Sequence, residues 1–167
     1  AVLSSLFHAL SAGGLWSSAR GENLLDGGAP FYRCYACADG GHVAVGALEP
    51  PFFAALVSGL QLEFDPTAQY DRSRWPELAQ LLADAFAASP RDHWTALFQD
   101  TDACVTPVLS FNESAGPPHN HARGAMVHTE GLAQPAPAPR FSDTPPAITP
   151  DRRVPVDFAE ALARWSE

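Results

Sequence analysis

The sequence predicts an α/β fold: a small mixed domain of helices and strands, with a helix before it and a proline-rich arm after it. Three observations carry this reading. Two β-prone runs, 31–37 and 42–48, flank the turn Asp39-Gly40-Gly41, a strong hairpin signal. Apolar residues at helical spacing then recur in three stretches between Phe52 and Phe98. Finally, residues 133–155 hold seven prolines, which suits an extended connector crossing a surface better than a core element.

The elements follow in order. Residues 1–12 read as a helix stopped by Gly13-Gly14. This start is apolar but has no basic n-region and no initiator Met. A signal peptide would need the two glycines as a cleavage site, so the preferred reading is a helix cut from something longer. Residues 17–30 form a loop rich in Ser, Gly and Asp. In the second strand His42, Ala44, Gly46 and Leu48 alternate with Val43, Val45 and Ala47. Small residues on both faces predict close packing on each side.

Pro50 and Pro51 suit a helix's first turn, where a missing N–H costs nothing. Phe52, Phe53, Leu56, Val57 and Leu60 follow at helical spacing, with Gly59 near the stop. Residues 61–74 read as a polar connector containing Asp65-Pro66. A longer amphipathic helix runs from Trp75 to Ala88, its stripe made by Leu78, Leu81, Leu82, Ala85 and Phe86. Ser89-Pro90-Arg91-Asp92 resembles a capping box opening a helix with Trp94, Leu97 and Phe98. Residues 104–109 read as a third strand, placed at an edge or strand end by Pro107. Residues 114–123 are irregular, 124–129 read as a further strand, and Val156–Trp165 as a short amphipathic helix.

Composition narrows the function classes. The 167 residues, 46% hydrophobic, suffice for one domain with a core. No apolar run approaches 18 residues, so no membrane partner is expected. All ten basic residues are Arg, and 19 acids bring the net charge to −9. That balance argues against a nucleic-acid surface and against this chain alone cradling a polyphosphate through side-chain charge. Cys34, Cys37 and Cys104 make no disulfide framework. The Cys34-Tyr-Ala-Cys37 spacing falls in a β-prone run, where residues three apart face opposite ways, so the thiols should not meet. Ordinary cysteines in a reducing cytoplasm are the expected reading.

Few residues suggest chemistry by themselves. Glu49 ends a nearly uncharged strand just before a helix, a common place for sites in α/β folds. The simpler alternative is an acid stabilised by the helix dipole. His119, His121 and His128 offer a weak metal signal without an acid or Cys at suitable spacing. Loop histidines are the simpler reading, and no metal is expected. His8 and His93 read as surface or rim residues of helices. With no GxSxG elbow, GxGxxG or Walker loop, a self-contained hydrolase, kinase or dehydrogenase is unsupported.

Several stretches together resemble a known family. Arg20-Gly21-Glu22-Asn23-Leu24-Leu25-Asp26-Gly27-Gly28-Ala29-Pro30-Phe31-Tyr32 resembles the RGxNxLDGGAPFY segment of alpha-methylacyl-CoA racemases. Ala38-Asp39-Gly40, followed by Val43-Ala44-Val45-Gly46-Ala47-Leu48-Glu49-Pro50, resembles their ADGxxxAVGAxEPQFY segment. Asp102-Ala103-Cys104-Val105-Thr106-Pro107-Val108-Leu109 matches their DACVTPVL element, and Ala122-Arg123-Gly124 the ARG after it. The likeness spans about residues 1–145 in order. The wider group is the family III CoA-transferases.

The resemblance implies a large Rossmann-like CoA-binding domain plus a small domain, in a homodimer interlocked like chain links. On that pattern, residues 1–20 are a linker helix from an absent large domain. Residues 21–132 are the small α/β domain, and 133–167 the proline-rich return arm with its short helix. The chain is then a fragment, and the family's catalytic His and Asp lie in the missing part. Glu49 matches the glutamate that hydrogen-bonds that His from the small-domain side, orienting it and tuning its basicity. Cys104 matches a cysteine near the active site and is taken as a lining residue. Asp26, Gly27 and Gly28 belong to a turn expected to shape the acyl pocket or the interface.

The implied chemistry is 1,1-proton transfer on a 2-methylacyl-CoA, through an enolate whose stabilisation is the larger electrostatic task. No cofactor is expected, because CoA belongs to the substrate. Pro51 departs from the family's usual Gln, and the histidine-rich 117–121 loop also differs. A related CoA-transferase and a non-catalytic binding module remain the alternatives.

Overall fold

The structure, a computed structural model, describes residues 2–129, 131–148 and 157–165. It divides into two compact units, 1–109 and 110–167. In the first unit, α1 (Ser5–Ala12) follows one 3-10 turn, Val2–Ser4. Gly14, at φ +69°, ends it as the glycine pair predicts. None of its residues is buried. Phe7 meets Trp16 edge-to-face at 4.9 Å.

The strands β1 (Tyr32–Ala36), β2 (His42–Gly46) and β3 (Val105–Val108) form one antiparallel sheet in that order. The hairpin closes through Cys37 N–H to Gly41 O (2.8 Å) and Gly40 N–H to Cys37 O (3.0 Å). Tyr32 stands opposite Gly46, and Val43 opposite Pro107. Pro107 lies on an edge strand, where a missing N–H is tolerated. Cys34 is exposed and Cys37 buried, so the two thiols do face apart.

Close packing is found on one face of β2 only. Val43, Val45 and Ala47 are buried, whereas Ala44 and Gly46 are half-buried and His42 is exposed. The physical reason is that no further layer of the first unit covers the Ala44 side, whereas helices cover the Val43 side. There α2 (Pro50–Gly59), α3 (Trp75–Ala87) and α4 (Arg91–Phe98) supply the core. Phe31, Phe53, Leu56, Leu78, Leu82 and Phe86 are fully buried. Phe86 stacks on Tyr35 and meets Trp94 edge-to-face, each at 5.4 Å. Burying each such side chain contributes about 1.5–3 kcal/mol.

Two local expectations are corrected. Ser89 does not cap α4: the N-cap position is Pro90, which has no side-chain acceptor. Instead Asp39, from the hairpin turn 52 residues away, accepts from Arg91 N–H at 3.2 Å, while Ser89 O accepts from Ala38 N–H at 3.0 Å. The turn of one element thus caps the start of another. Nor is 61–74 merely a polar connector. It holds two 3-10 turns, Pro66–Ala68 and Arg72–Arg74, capped by the Asp65 and Asp71 carboxylates.

In the second unit, α5 (Pro118–Ala122) lies within the stretch read as irregular, and β4 (Met126–Thr129) occupies the expected strand. β4 pairs antiparallel with β5 (Leu132–Pro135), so the arm's first residues are a strand, not a free connector. Arg140 donates to Gly124 O at 2.6 Å. α6 (Phe158–Arg164) is capped by Asp157, which accepts from Ala159 N–H at 2.8 Å. Pro150, Pro155 and Val156 lie outside the described residues.

Candidate functional site

Glu49 sits where β2 gives way to α2. Its backbone is extended (φ −77°, ψ 142°), and its carbonyl accepts the first helical hydrogen bond, from Phe53 N–H at 3.0 Å. This is the N-cap position, yet the side chain makes no capping hydrogen bond. The prolines remove one of the two donors such a cap could use. An N-cap side chain accepts from the second or third helical N–H; the second residue here is Pro51, which has none, and only Phe52 N–H remains. Pro50 meanwhile disfavours the helical region for Glu49. The exposed carboxylate is left to face outward instead of folding back onto its helix.

The chain segment just before Glu49 is held from behind. The ladder of β2 ends at Gly46, and Leu48 N–H donates back to Gly46 O at 2.9 Å. The side-chain amide of Gln69 donates to Ala47 O (3.0 Å) and to Leu48 O (2.9 Å). The Tyr70 hydroxyl donates to the same Leu48 O at 2.5 Å. Gln69 is 1% exposed, and its backbone carbonyl accepts from the Trp75 indole N–H at 2.9 Å. Buried Phe31 meets both Tyr70 and Trp75 edge-to-face, at 5.5 and 5.8 Å.

Sequence reasoning missed Gln69 and Tyr70. The available signal was the pair Asp65-Pro-Thr67 and Asp71-Arg-Ser73, each an Asx-turn pattern marking an ordered connector.

Cys104 lies at the same end of the sheet. It is exposed, at φ +53°, and its carbonyl accepts from Gly46 N–H at 2.9 Å. Partial burial pushes the thiol pKa up, and the negative charges of Glu49 and then Asp102 push it further. The sulfur is therefore a neutral thiol at neutral pH, suited to lining a site and poorly suited to nucleophilic attack. Tyr32, opposite Gly46, completes this corner.

The loop 21–30 leads into that corner, and Tyr32 N–H donates to Ala29 O at 3.0 Å. Asp26 organises the loop. Its carboxylate accepts from Gly21 N–H (3.0 Å), Asn23 N–H (2.9 Å), the Asn23 amide (2.8 Å) and Gly28 N–H (3.1 Å). Desolvation alone would raise its pKa, but these hydrogen bonds outweigh it and hold the carboxyl at about 2. The two glycines answer different needs. Gly27 has φ +88°, whereas a Cβ on Gly28 would fall 2.6 Å from Gly21 O and 2.7 Å from Asn23 N.

Asp26 is thus engaged by its own loop, while Leu24 and Leu25 line an apolar recess of about 200 Å³ with Leu10, Leu15, Trp16 and Trp75. Of the sequence-predicted residues, the structure brings Glu49 and Cys104 together; Asp26, Gly27 and Gly28 shape the approach to β1. His119 and His121 lie on α5 and His128 on β4. Among the described residues, no three His, Cys, Asp or Glu are grouped as a metal would need, and no helix is long and apolar enough to cross a membrane.

Comparison with known proteins gives one answer. The model of the CoA-transferase family III matches residues 3–156. The chain is 46% identical over 170 residues to the alpha-methylacyl-CoA racemase of Mus musculus, covering 99% of this chain and 44% of that protein. The alpha-methylacyl-CoA racemase of Homo sapiens is 44% identical over 157 residues, covering 93% of this chain and 41% of that protein. The sequence thus spans less than half the length of these relatives. The solved structure of Rv3272 from Mycobacterium tuberculosis superposes with a TM-score of 0.59 at 16% identity, covering 71% of this chain and 35% of that one.

Proposed function

Because the chain belongs to the CoA-transferase family III, we propose that it forms the small-domain wall of an active site that interconverts (R)- and (S)-2-methylacyl-CoA thioesters. The observation that carries this is Glu49: an exposed carboxylate at the N-cap of α2 that does not cap it. A carboxylate so placed suits a partner outside its own helix, and the resemblance supplies one, the catalytic His. In that role Glu49 holds the imidazole's orientation and stabilises its protonated form. On the resemblance, the proton-removing and proton-returning groups lie outside the part of the family fold matched here, so this chain alone is expected not to racemise.

The neutral Cys104 lines the corner beside Glu49, and the Asp26 loop presents Leu24 and Leu25 to an apolar recess. Both features suit an acyl chain. The reaction draws on no cofactor beyond the CoA carried by the substrate. A homodimer fits the apolar side chains that α1 leaves exposed, Leu6 and Phe7 among them. Three free cysteines fit a reducing, cytoplasmic setting.

The test is NMR of a chiral 2-methylacyl-CoA in D₂O with the full-length protein that carries this sequence. Loss of optical purity together with deuterium at C2 supports the reading. Transfer of CoA to an added carboxylic acid, with C2 untouched, overturns it in favour of a CoA-transferase. Neither reaction, with the thioester still bound, points to a binding module.

A further inference from the structure

We infer that Gln69, with Tyr70 beside it, is the positioning residue for Glu49: the pair sets the direction in which the Glu49 carboxylate faces its catalytic partner. This rests on the reading of Glu49 given above.

Past Gly46 no strand partner among the described residues holds the chain, yet Glu49 comes only three residues later. The two carbonyls in between are taken by the Gln69 amide and the Tyr70 hydroxyl. Leu48 O accepts from both donors and so has both lone pairs filled. Since the peptide unit is planar, fixing that oxygen also fixes the plane that delivers Glu49. On the far side, Pro50 confines the Glu49 backbone to extended geometry. The residue is therefore gripped from both directions, by hydrogen bonds before it and by a ring after it.

The grip carries a cost that marks it. Among the described residues, Gln69 Oε1 is buried with no hydrogen-bond partner, an arrangement that destabilises a fold. A methionine of similar size would remove that orphaned oxygen but would also take from Ala47 O its side-chain donor. Departures of this kind from ordinary core chemistry gather where geometry serves function. The donors are themselves anchored. Trp75 holds the Gln69 backbone, and the Asp65 and Asp71 caps accept from Thr67 N–H (2.9 Å) and Ser73 N–H (3.0 Å) on either side. The ordered connector is thus a bracket reaching across to the strand exit.

The experiment is a double-mutant cycle in the full-length protein, measuring kcat, KM and Tm for Gln69→Met, Tyr70→Phe, Glu49→Gln and each pairing with Glu49→Gln. Misdirecting Glu49 should lower kcat roughly tenfold in Gln69→Met and roughly threefold in Tyr70→Phe, with KM within about twofold. With Glu49→Gln already present, either change should lower kcat by less than about twofold, because no carboxylate remains to be aimed.

Losses that persist in full in the Glu49→Gln background overturn the inference in favour of a purely structural staple. So does wild-type kcat in a folded Gln69→Met variant. If Gln69→Met does not fold, Tyr70→Phe, which loses one hydroxyl from a half-exposed ring, decides by the same cycle. The two failures are separable. Wild-type kcat in Glu49→Gln removes the reading of Glu49 itself, whereas a low kcat there with unaffected Gln69 and Tyr70 variants removes only the positioning role.

Discussion

Replacing Gly28 by alanine should be among the most damaging single changes in the first unit, although it adds only one methyl group. Its Cβ would lie 2.6 Å from Gly21 O, 2.7 Å from Asn23 N and 2.8 Å from Asn23 O, all inside the 3.0 Å that real Cβ atoms respect. All three neighbours are backbone, so no side chain can swing away. The backbone that must move also carries three of the donors to Asp26, so relief of the clash pulls that network apart. Overpacking costs about 1–3 kcal/mol, and a rigid wall on both sides puts this case near the top, about 3 kcal/mol.

At about 4–8 °C per kcal/mol for a unit of this size, Tm should fall on the order of 10–20 °C. Gly27→Ala is the internal control. It meets no atom within 4 Å and pays only for φ +88°, about 1 kcal/mol. Both are read by circular dichroism melts and urea midpoints on the purified chain. A Tm for Gly28→Ala within about 1 °C of the parent, or a larger loss for Gly27→Ala, refutes the reasoning.

Three further outcomes are expected. The folded-state pKa of Asp26 is depressed to about 2, so its contribution is complete above the ordinary carboxyl value and is lost as pH falls from there through about 2. Urea midpoints should drop over that window, and Asp26→Asn should lower the neutral-pH midpoint while flattening part of the acid loss. Other aspartates, Asp39, Asp65 and Asp71, titrate with the same sign and retain the rest. Since the Glu49 charge raises the Cys104 pKa, Glu49→Gln should speed alkylation of Cys104 near pH 8–9, followed by peptide mass mapping. An unchanged rate would separate the two residues. Leu82→Ala, at a fully buried position, should cost about 2–5 kcal/mol in chemical denaturation.

What could be read in advance follows from the range of the forces involved. The hairpin was legible because Asp39-Gly40-Gly41 specifies its own turn, and α3 because Leu78, Leu82 and Phe86 repeat at the helical period. Glu49 drew notice because two prolines behind it restrict the backbone locally. The cap on α4 was not legible, since its acceptor, Asp39, comes from 52 residues away while Ser89 offered a plausible local one.

Gln69 was invisible for a related reason. In a polar segment an amide reads as solvated, and only the tertiary fold buries it against Ala47 and Leu48. The open face of β2 was misread because small residues at Ala44 and Gly46 permit close packing without requiring it. The family motifs pointed to Glu49 and Cys104, but that Glu49 takes the N-cap position without capping, with Pro51 removing one of the two donors, needed the helix boundary itself.

The most direct test of the central claim is the pH dependence of kcat/KM for epimerisation by the full-length protein, with and without Glu49→Gln. A carboxylate beside an imidazole favours its protonated form, so removing the charge lowers that group's pKa. Glu49→Gln should lower kcat roughly 10- to 100-fold and move the acid limb of the profile to lower pH by about one unit, with KM for the acyl-CoA nearly unchanged. A profile and kcat indistinguishable from the parent would contradict the claim that Glu49 supports the proton-transferring group.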